Sequence, residues 1–264
     1  MTVADYILDW SSKDPASRAY AEGHLKRLEK TLAITPPAAD AADRVLEMGA
    51  YFHITPALKS LLGYGEVRGC YYGPRGIIER KSVTSASGDI FECCVDLFDA
   101  ERDPFPYPDE HFATVLCCEL LEHLSCDPMH MMHEINRVLK VDGHLVLTTP
   151  NLGSLRAIAA ILTGYNPGFF PAYLRPSEGG AAEARHSREY TMPEACRLLL
   201  DSGFEVTFRD TGPYDKEPGS EFDWVKALLE PHQLSTEFRG ECIFAVGRKT
   251  GPPRERYPSW LYSK

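Results

Sequence analysis

The stretch Phe112-Ala-Thr-Val-Leu-Cys-Cys-Glu-Leu-Leu-Glu-His-Leu124 decides the fold of this chain. Its first seven residues are almost continuously apolar, as in a strand that is buried on both faces of a parallel sheet. A helix is predicted to follow from Asp127 to Lys140, because Asp127 is a good cap and Pro128 suits the first helical position. A second apolar run, Leu145–Thr149, closes the unit. The stretch therefore predicts a strand, a polar corner, a capped helix and a second strand.

The same alternation continues on both sides of this unit. Helices are predicted at 55–62, with Thr55 as its cap, and at 191–203. Five further strands are predicted at Arg44–Ala50, Glu66–Cys70, Phe91–Asp96, Phe204–Phe208 and Cys242–Gly247. Strands that alternate with helices indicate an α/β protein with a doubly wound, mostly parallel sheet, here of seven strands.

Three segments divide the chain, and the second contains an insertion. Residues 1–40 are predicted to be helical, with one amphipathic helix from Ser17 to Leu32 that packs on the core or between two copies, so that both a monomer and a homodimer fit. Residues 41–250 form the main domain, and 251–264 form a tail. Within the domain, 151–190 is rich in Gly, Pro and aromatic residues and is longer than an ordinary connection. We expect this insertion to act as a lid on the substrate side.

The composition narrows the class of partner. A formal net charge of −10 disfavours nucleic acid, because a protein that binds a phosphate backbone needs a Lys and Arg footprint. The first thirty residues lack a signal-peptide pattern, and no apolar run approaches the roughly 20 residues that span a bilayer. Cys93-Cys94 and Cys117-Cys118 lie in apolar runs and are expected to be buried thiols. These features predict a cytoplasmic protein without a membrane partner.

Two predicted strands end in carboxylates. The first strand ends in Glu47-Met-Gly49, with a carboxylate and a glycine close together, and the third ends at Asp96. Open α/β sheets bind ligands at the carboxyl ends of their strands, so both side chains are candidates for a binding site. The alternative is that each carboxylate only caps the helix that follows it.

The combination of motifs resembles the class I S-adenosylmethionine-dependent methyltransferases, type 11/12-like, most strongly over residues 43–150 and more loosely over 186–248. The matching pieces are Val45–Gly49, Asp96 with Phe105–Asp109 and Phe112, Glu119–His123, Glu134–Lys140, Asp142-Gly143, Leu145–Asn151 and His186–Thr191. This resemblance implies a Rossmann-like fold and S-adenosylmethionine as the cofactor.

The resemblance also implies a set of cofactor contacts. Gly49 would lie under the methionine moiety, and Asp96 with Leu97 would reach the adenine. The full set is Glu47, Gly49, Ala50, Tyr51, Tyr71, Asp96, Leu97, Cys118 and Glu119. The chain departs from the family at two places: Tyr51 and His53 stand where the family usually has glycines, and Cys70-Tyr71-Tyr72 stands where an acidic residue usually meets the ribose.

The polar corner is a candidate metal site. Glu-x-x-Glu-His corners bind a divalent metal in small-RNA 2′-O-methyltransferases and in ubiquinone-biosynthesis O-methyltransferases, which this corner resembles. By that resemblance Glu119, Glu122, His123 and His186 would hold Mg²⁺ or Mn²⁺, whose preferred ligands include carboxylates. The alternative is that the corner only braces the helix and the loop. In either case His123 and His186 are the candidate catalytic residues, as base or metal ligand.

The sequence thus predicts a methyltransferase that acts on a small-molecule or glycan-type acceptor, with oxygen favoured as the nucleophile. The altered glycine loop keeps a second hypothesis open. In that hypothesis the protein is a methyltransferase-like binding or partner protein without activity.

Overall fold

The computed structural model describes residues 1–169, 186–214 and 220–263. Within these residues the chain forms one mixed sheet in the order β3-β4-β2-β1-β5-β6-β8-β7. The strands are β1 (Arg44–Met48), β2 (Glu66–Tyr71), β3 (Ile78–Thr84), β4 (Ile90–Leu97), β5 (Phe112–Cys118), β6 (Leu139–Pro150), β7 (Phe204–Gly212) and β8 (Cys242–Lys249).

The centre of the sheet is parallel and its two sides carry antiparallel pairs. β1 pairs in parallel with β2 and β5, β2 with β4, and β5 with β6. β3, β8 and β7 add antiparallel pairs. The doubly wound, mostly parallel α/β fold is confirmed. Because β1, β2, β4 and β5 are paired in parallel, their carboxyl ends lie along one edge of the sheet.

The prediction of seven strands was wrong by one. β3 forms an antiparallel hairpin with β4, and it lies at the margin of the sheet. Its sequence, Ile78-Glu-Arg-Lys-Ser-Val-Thr84, is largely polar, with three charged residues, and no residue in it is fully buried. An edge strand of this kind lacks the continuous apolar run by which the other strands were identified.

Helices cover both faces of the sheet. They are α1 (Val3–Trp10), α2 (Pro15–Gly23), α3 (Leu25–Ile34), α4 (Thr55–Ser60), α5 (Pro128–Val138), α6 (Leu155–Leu162), α7 (Met192–Asp201) and α8 (Asp223–Leu229). α1 to α4 contribute Ile7, Leu28 and Leu58 to the core on one face. α5 and α7 contribute Met132 and Leu198 to the core on the other.

Two predicted helix boundaries needed correction. The single helix expected from Ser17 to Leu32 is two helices, because His24 has non-helical dihedral angles (φ −109°, ψ 15°) between α2 and α3. Thr55 is the first helical residue of α4 rather than its cap, and Ile54 occupies the cap position without a side-chain hydrogen bond. The predicted caps of α5 and α7 are present: Asp127 accepts a hydrogen bond from His130 N–H, and Thr191 forms a capping box with Glu194.

The insertion and the tail were predictions about domain organisation. In the insertion, α6 and the loop that follows it to residue 169 are described, whereas residues 170–185 lie outside the described residues. Along the tail, Trp260 donates to Asp201 at 2.8 Å and Tyr262 donates to Asp127 at 2.6 Å. These bonds hold the tail against α5 and α7. Within the described parts of the chain, no helix has the length and apolar character needed to cross a membrane.

Candidate functional site

The turn after β1 lies at the carboxyl edge of the sheet. Met48 is paired with Cys70 on one side and Cys117 on the other, and Gly49 N–H donates to the Cys70 carbonyl at 2.9 Å. Gly49 has φ +69°, a conformation that side chains other than glycine rarely adopt. Next to it, the Glu47 side chain is buried, and among the described residues no group hydrogen-bonds to its Oε2 atom. Burial raises the pKa of Glu47 to about 7.

The two residues that replace glycines in this turn have different surroundings. His53 is buried, its Nε2 lies 3.2 Å from Ser17 Oγ, and its ring stacks on Tyr20 with centroids 4.7 Å apart. Burial lowers the pKa of His53 to about 4, so it is neutral at pH 7. Tyr51 is 66% exposed and meets Tyr71 edge to face at 5.2 Å. The His53 side chain therefore links α2 to the turn after β1, whereas the Tyr51 side chain is mostly exposed to solvent.

A cleft of about 590 Å³ opens between α2, this turn and β3. A parallel pair such as β2 and β4 is usually joined by a helix, but here β3 makes the connection. The cleft's lining combines aromatic rings with a few polar groups, among them Ser17, Tyr20, Tyr51, Phe52, His53 and Lys81.

The carboxylate at the end of β4 has hydrogen-bond partners within the protein. Asp96 is buried and accepts hydrogen bonds from Arg68 and from the Tyr107 hydroxyl, at 2.6 and 2.9 Å. The Leu97 N–H donates to the Ile77 carbonyl at 2.9 Å as part of the β3 pairing. The groups that were expected to reach adenine are thus engaged within the sheet. Asp99, two residues past the end of β4, is the next carboxylate along this edge.

Glu119 begins the corner after β5 and turns toward the N-terminal helices. Its backbone has φ +51°, its Oε1 accepts from Thr148 at 2.8 Å, and its Oε2 lies 3.1 Å from an Arg27 guanidinium nitrogen. Arg27 is only 3% exposed, donates to the Tyr20 hydroxyl at 2.7 Å, and lies 4.9 Å from the Tyr214 ring centroid. Arg27 therefore gives Glu119 a buried cationic partner.

Glu122 turns the other way, toward the histidines. It is 1% exposed, and its Oε2 accepts from Thr149 at 2.9 Å. Its Oε1 lies 3.9 Å from His123 Nε2, and the His123 and His186 rings are 5.0 Å apart. Burial, and then the charge of Glu119, raise the pKa of Glu122 well above its usual value. One possible ligand atom from each of Glu122, His123 and His186 lies within 4.8 Å of the others.

The segment that carries His186 is attached to the corner through its backbone. The N–H groups of Ser187 and Arg188 both donate to the Glu122 carbonyl, at 2.7 and 3.2 Å. The His186 Nδ1 lies 2.8 Å from Glu189 Oε1. The structure thus brings three of the four expected metal ligands together and places the carboxylate of the fourth, Glu119, on Arg27.

Sequence analysis did not single out two residues of this region. Arg27 shares the buried side of α3 with Leu28 and Thr31, and a cation among apolar helix positions was the available signal. Glu189 lies three residues after His186. Because this segment was not predicted to be helical, that spacing did not indicate that the two side chains would contact each other.

The whole chain was compared with known proteins. A family model described as "Methyltransferase domain" matches residues 18–208. A search of curated protein sequences found no match.

Among solved structures, the chain is similar to one in the complex of the Haloferax volcanii Trm112 methyltransferase activator with a methyltransferase. That match has 16% identity and a TM-score of 0.56, and it covers 93% of this chain and 98% of the other. A second similar structure is an S-adenosylmethionine-dependent methyltransferase from Thermotoga maritima. It has 17% identity and a TM-score of 0.50, with 87% and 91% of the two chains covered. At these identities the likeness supports the fold.

Proposed function

Because the chain belongs to the class I S-adenosylmethionine-dependent methyltransferases, we propose that it transfers a methyl group to an oxygen of a small-molecule or glycan-type acceptor. The observation that carries the proposal is the corner of Glu122, His123 and His186, which lies at the carboxyl end of β5 beside the Glu47–Gly49 turn.

The residues at this edge fit the cofactor. Glu47 Oε2 is buried and has no hydrogen-bond partner among the described residues, and the left-handed Gly49 backbone has no side chain, so a ligand could contact both. Glu47, Gly49 and Ala50 would hold its amino-acid end, and Tyr71 would lie in the ribose position. Asp99, rather than Asp96, would supply the carboxylate nearest the adenine. When bound, S-adenosylmethionine supplies an electrophilic methyl group on a sulfonium.

The protein's own part in such a transfer is to position the acceptor and to take its proton. His123 is one-third exposed, so an acceptor hydroxyl can approach it, whereas the His186 ring is 9% exposed. His123 would therefore accept the proton of the acceptor hydroxyl. The more buried His186 ring would pack against His123 and hold it in place.

The same three residues fit a divalent metal. One carboxylate and two imidazoles suit Mn²⁺ better than Mg²⁺, which prefers oxygen ligands. A metal held by Glu122, His123 and His186 would supply Lewis acidity toward the acceptor hydroxyl.

The acceptor class rests on the size and lining of the cleft beside Tyr51. Small-molecule sites are typically clefts of roughly 300–1,000 Å³ with mostly apolar walls and a few polar groups. The cleft of about 590 Å³ falls in this range, with Tyr20 and Tyr51 as ring surfaces and Ser17 and Lys81 as polar groups. Its lining suits the ring of an acceptor whose reacting hydroxyl extends beyond the cleft toward the corner, because His123 and His186 are not among the residues that line the cleft.

Titration calorimetry with S-adenosylmethionine tests the proposal. We expect one molecule to bind per chain, and Gly49→Val to abolish binding, because a β-branched side chain is strained at φ +69°. The control Gly88→Ala changes another glycine of positive φ, in the turn before the amino end of β4 and so at the opposite edge of the sheet. No heat from wild-type protein at millimolar cofactor would instead favour a methyltransferase-like binding protein without activity.

The metal is tested separately by treatment with EDTA, followed by Mn²⁺ add-back. We expect Mn²⁺ to raise the protein's melting temperature and His123→Ala to remove that rise. A melting temperature that is indifferent to both treatments would leave the corner with a bracing role only.

A further inference from the structure

Glu189 makes an unusual pair of hydrogen bonds beside the corner. Its Oε1 atom lies 2.8 Å from His186 Nδ1 and also accepts from the Phe169 N–H at 2.7 Å. The side chains of Glu189 and His186 are 6% and 9% exposed. Among the described residues no group hydrogen-bonds to the other carboxylate oxygen, Oε2, although it is buried.

We propose that Glu189 is a positioning residue that holds His186 as the Nδ1–H tautomer. In that tautomer Nδ1 donates to Glu189, and Nε2 is the nitrogen that carries no proton. A neutral imidazole carries one proton, and the hydrogen bond made by one nitrogen decides which nitrogen can accept a proton or bind a metal. The inference rests on the proposed function for its purpose, but the tautomer itself does not.

Glu189 is not needed to bring His186 to the corner. The backbone bonds from Ser187 and Arg188 to the Glu122 carbonyl already fix the segment there. A parallel bridge between Asn151 and Tyr190 fixes its other end. What these bonds leave undetermined is the rotation and protonation of the imidazole, which is what a carboxylate on Nδ1 controls.

The energetics also suggest a role beyond stability. A buried oxygen without a partner costs stability, and no group in the described part of the chain hydrogen-bonds to Oε2, so this atom does not favour the fold through those residues. Carboxylates that accept from the far nitrogen of a histidine are known to orient metal-binding and catalytic imidazoles. Glu189 stands in that relation to His186.

Nitrogen-15 NMR of histidine-labelled protein at pH 8 tests the tautomer without any ligand. His186 is identified by the signal that disappears in His186→Gln. We expect the wild type to show protonated Nδ1 and unprotonated Nε2. Glu189→Met, which lacks an acceptor, should allow the Nε2–H tautomer, and Glu189→Gln, which keeps a carbonyl acceptor, should restore part of the Nδ1–H signal.

The matched control is Glu194→Gln. Glu194 bonds to Arg188 and Thr191 in the same segment but does not touch His186, so its loss should leave the tautomer unchanged. An Nε2–H tautomer of His186 in the wild type would overturn the inference, whatever Glu189→Met shows. An Nδ1–H tautomer that persists in folded Glu189→Met would overturn it as well.

Mn²⁺ binding, followed by electron paramagnetic resonance, separates this inference from the proposed function. We expect Glu189→Met to bind Mn²⁺ about 10–100-fold more weakly than the wild type, and Glu194→Gln to bind it equally well. A wild type that binds no Mn²⁺ would refute the metal part of the proposed function. The inference about Glu189 would then still be decided by the His186 tautomer that NMR shows. Equal Mn²⁺ affinity in wild type and Glu189→Met would overturn the inference alone.

Discussion

Glu119 and Glu122 are identical residues three positions apart on one corner, yet their environments are opposite. Glu119 has a buried cation, Arg27, at 3.1 Å and a hydroxyl donor, Thr148. Glu122 is more deeply buried and has no such cation among the described residues, and its pKa is raised by burial. A buried carboxylate without a cationic partner favours its protonated form. We therefore call Glu119 with Arg27 the structural half of the corner. Glu122 with His123 and His186 is the half that is available for catalysis or metal binding.

The largest effect is expected from breaking the structural half. Arg27→Met leaves the Glu119 carboxylate without its cation in a buried site, so we expect a loss of about 3–5 kcal/mol in the free energy of unfolding at pH 7. Chemical denaturation measures it.

The control is the double variant Arg27→Met with Glu119→Gln. It removes both charges together, so we expect most of the lost stability to return. A single Arg27→Met variant that loses less than about 1 kcal/mol would show that the pair behaves like an exposed one.

A smaller effect is expected on the same side of the corner, from His53. The unfolded chain takes up a proton on this residue as the pH falls through about 6.5, but the folded chain does so only near 4. The wild type should therefore lose stability between these pH values relative to His53→Phe, by at most about 3 kcal/mol. Above pH 7 the difference between the two proteins should be constant. A constant difference down to pH 4 would contradict the lowered pKa.

The smallest effect is expected from Glu122. Glu122→Gln removes no ion pair with a lysine or arginine of the described residues, so we expect the free energy of unfolding at pH 7 to change by less than about 1 kcal/mol. Denaturation of this variant beside Arg27→Met compares the two halves directly. A loss as large as that of Arg27→Met would mean that Glu122 has an ionic role in the fold.

The sequence predicted those features that depend on residues close to one another in the chain. The strands and the corner were predictable because apolar runs and caps are local patterns, as in Phe112–Cys118 and Asp127. The resemblance also led to His186, and the 5.0 Å between its ring and that of His123 supports that grouping.

What sequence could not show depends on contacts between distant segments. The side toward which Glu119 turns is set by Arg27, which is 92 residues earlier in the chain, and Asp96 is turned inward by Arg68 and Tyr107. No local pattern encodes such partners. β3 was missed for a different reason, since a largely polar edge strand has little apolar signal.

The most direct test of the divided corner is Mn²⁺ binding, followed by electron paramagnetic resonance, in two matched variants. Glu122→Gln should weaken Mn²⁺ binding at least about tenfold. The double variant Arg27→Met with Glu119→Gln should keep the wild-type affinity within about twofold, because its changes lie outside the histidine cluster. Loss of Mn²⁺ binding in the double variant, with binding retained in Glu122→Gln, would contradict the division of the corner.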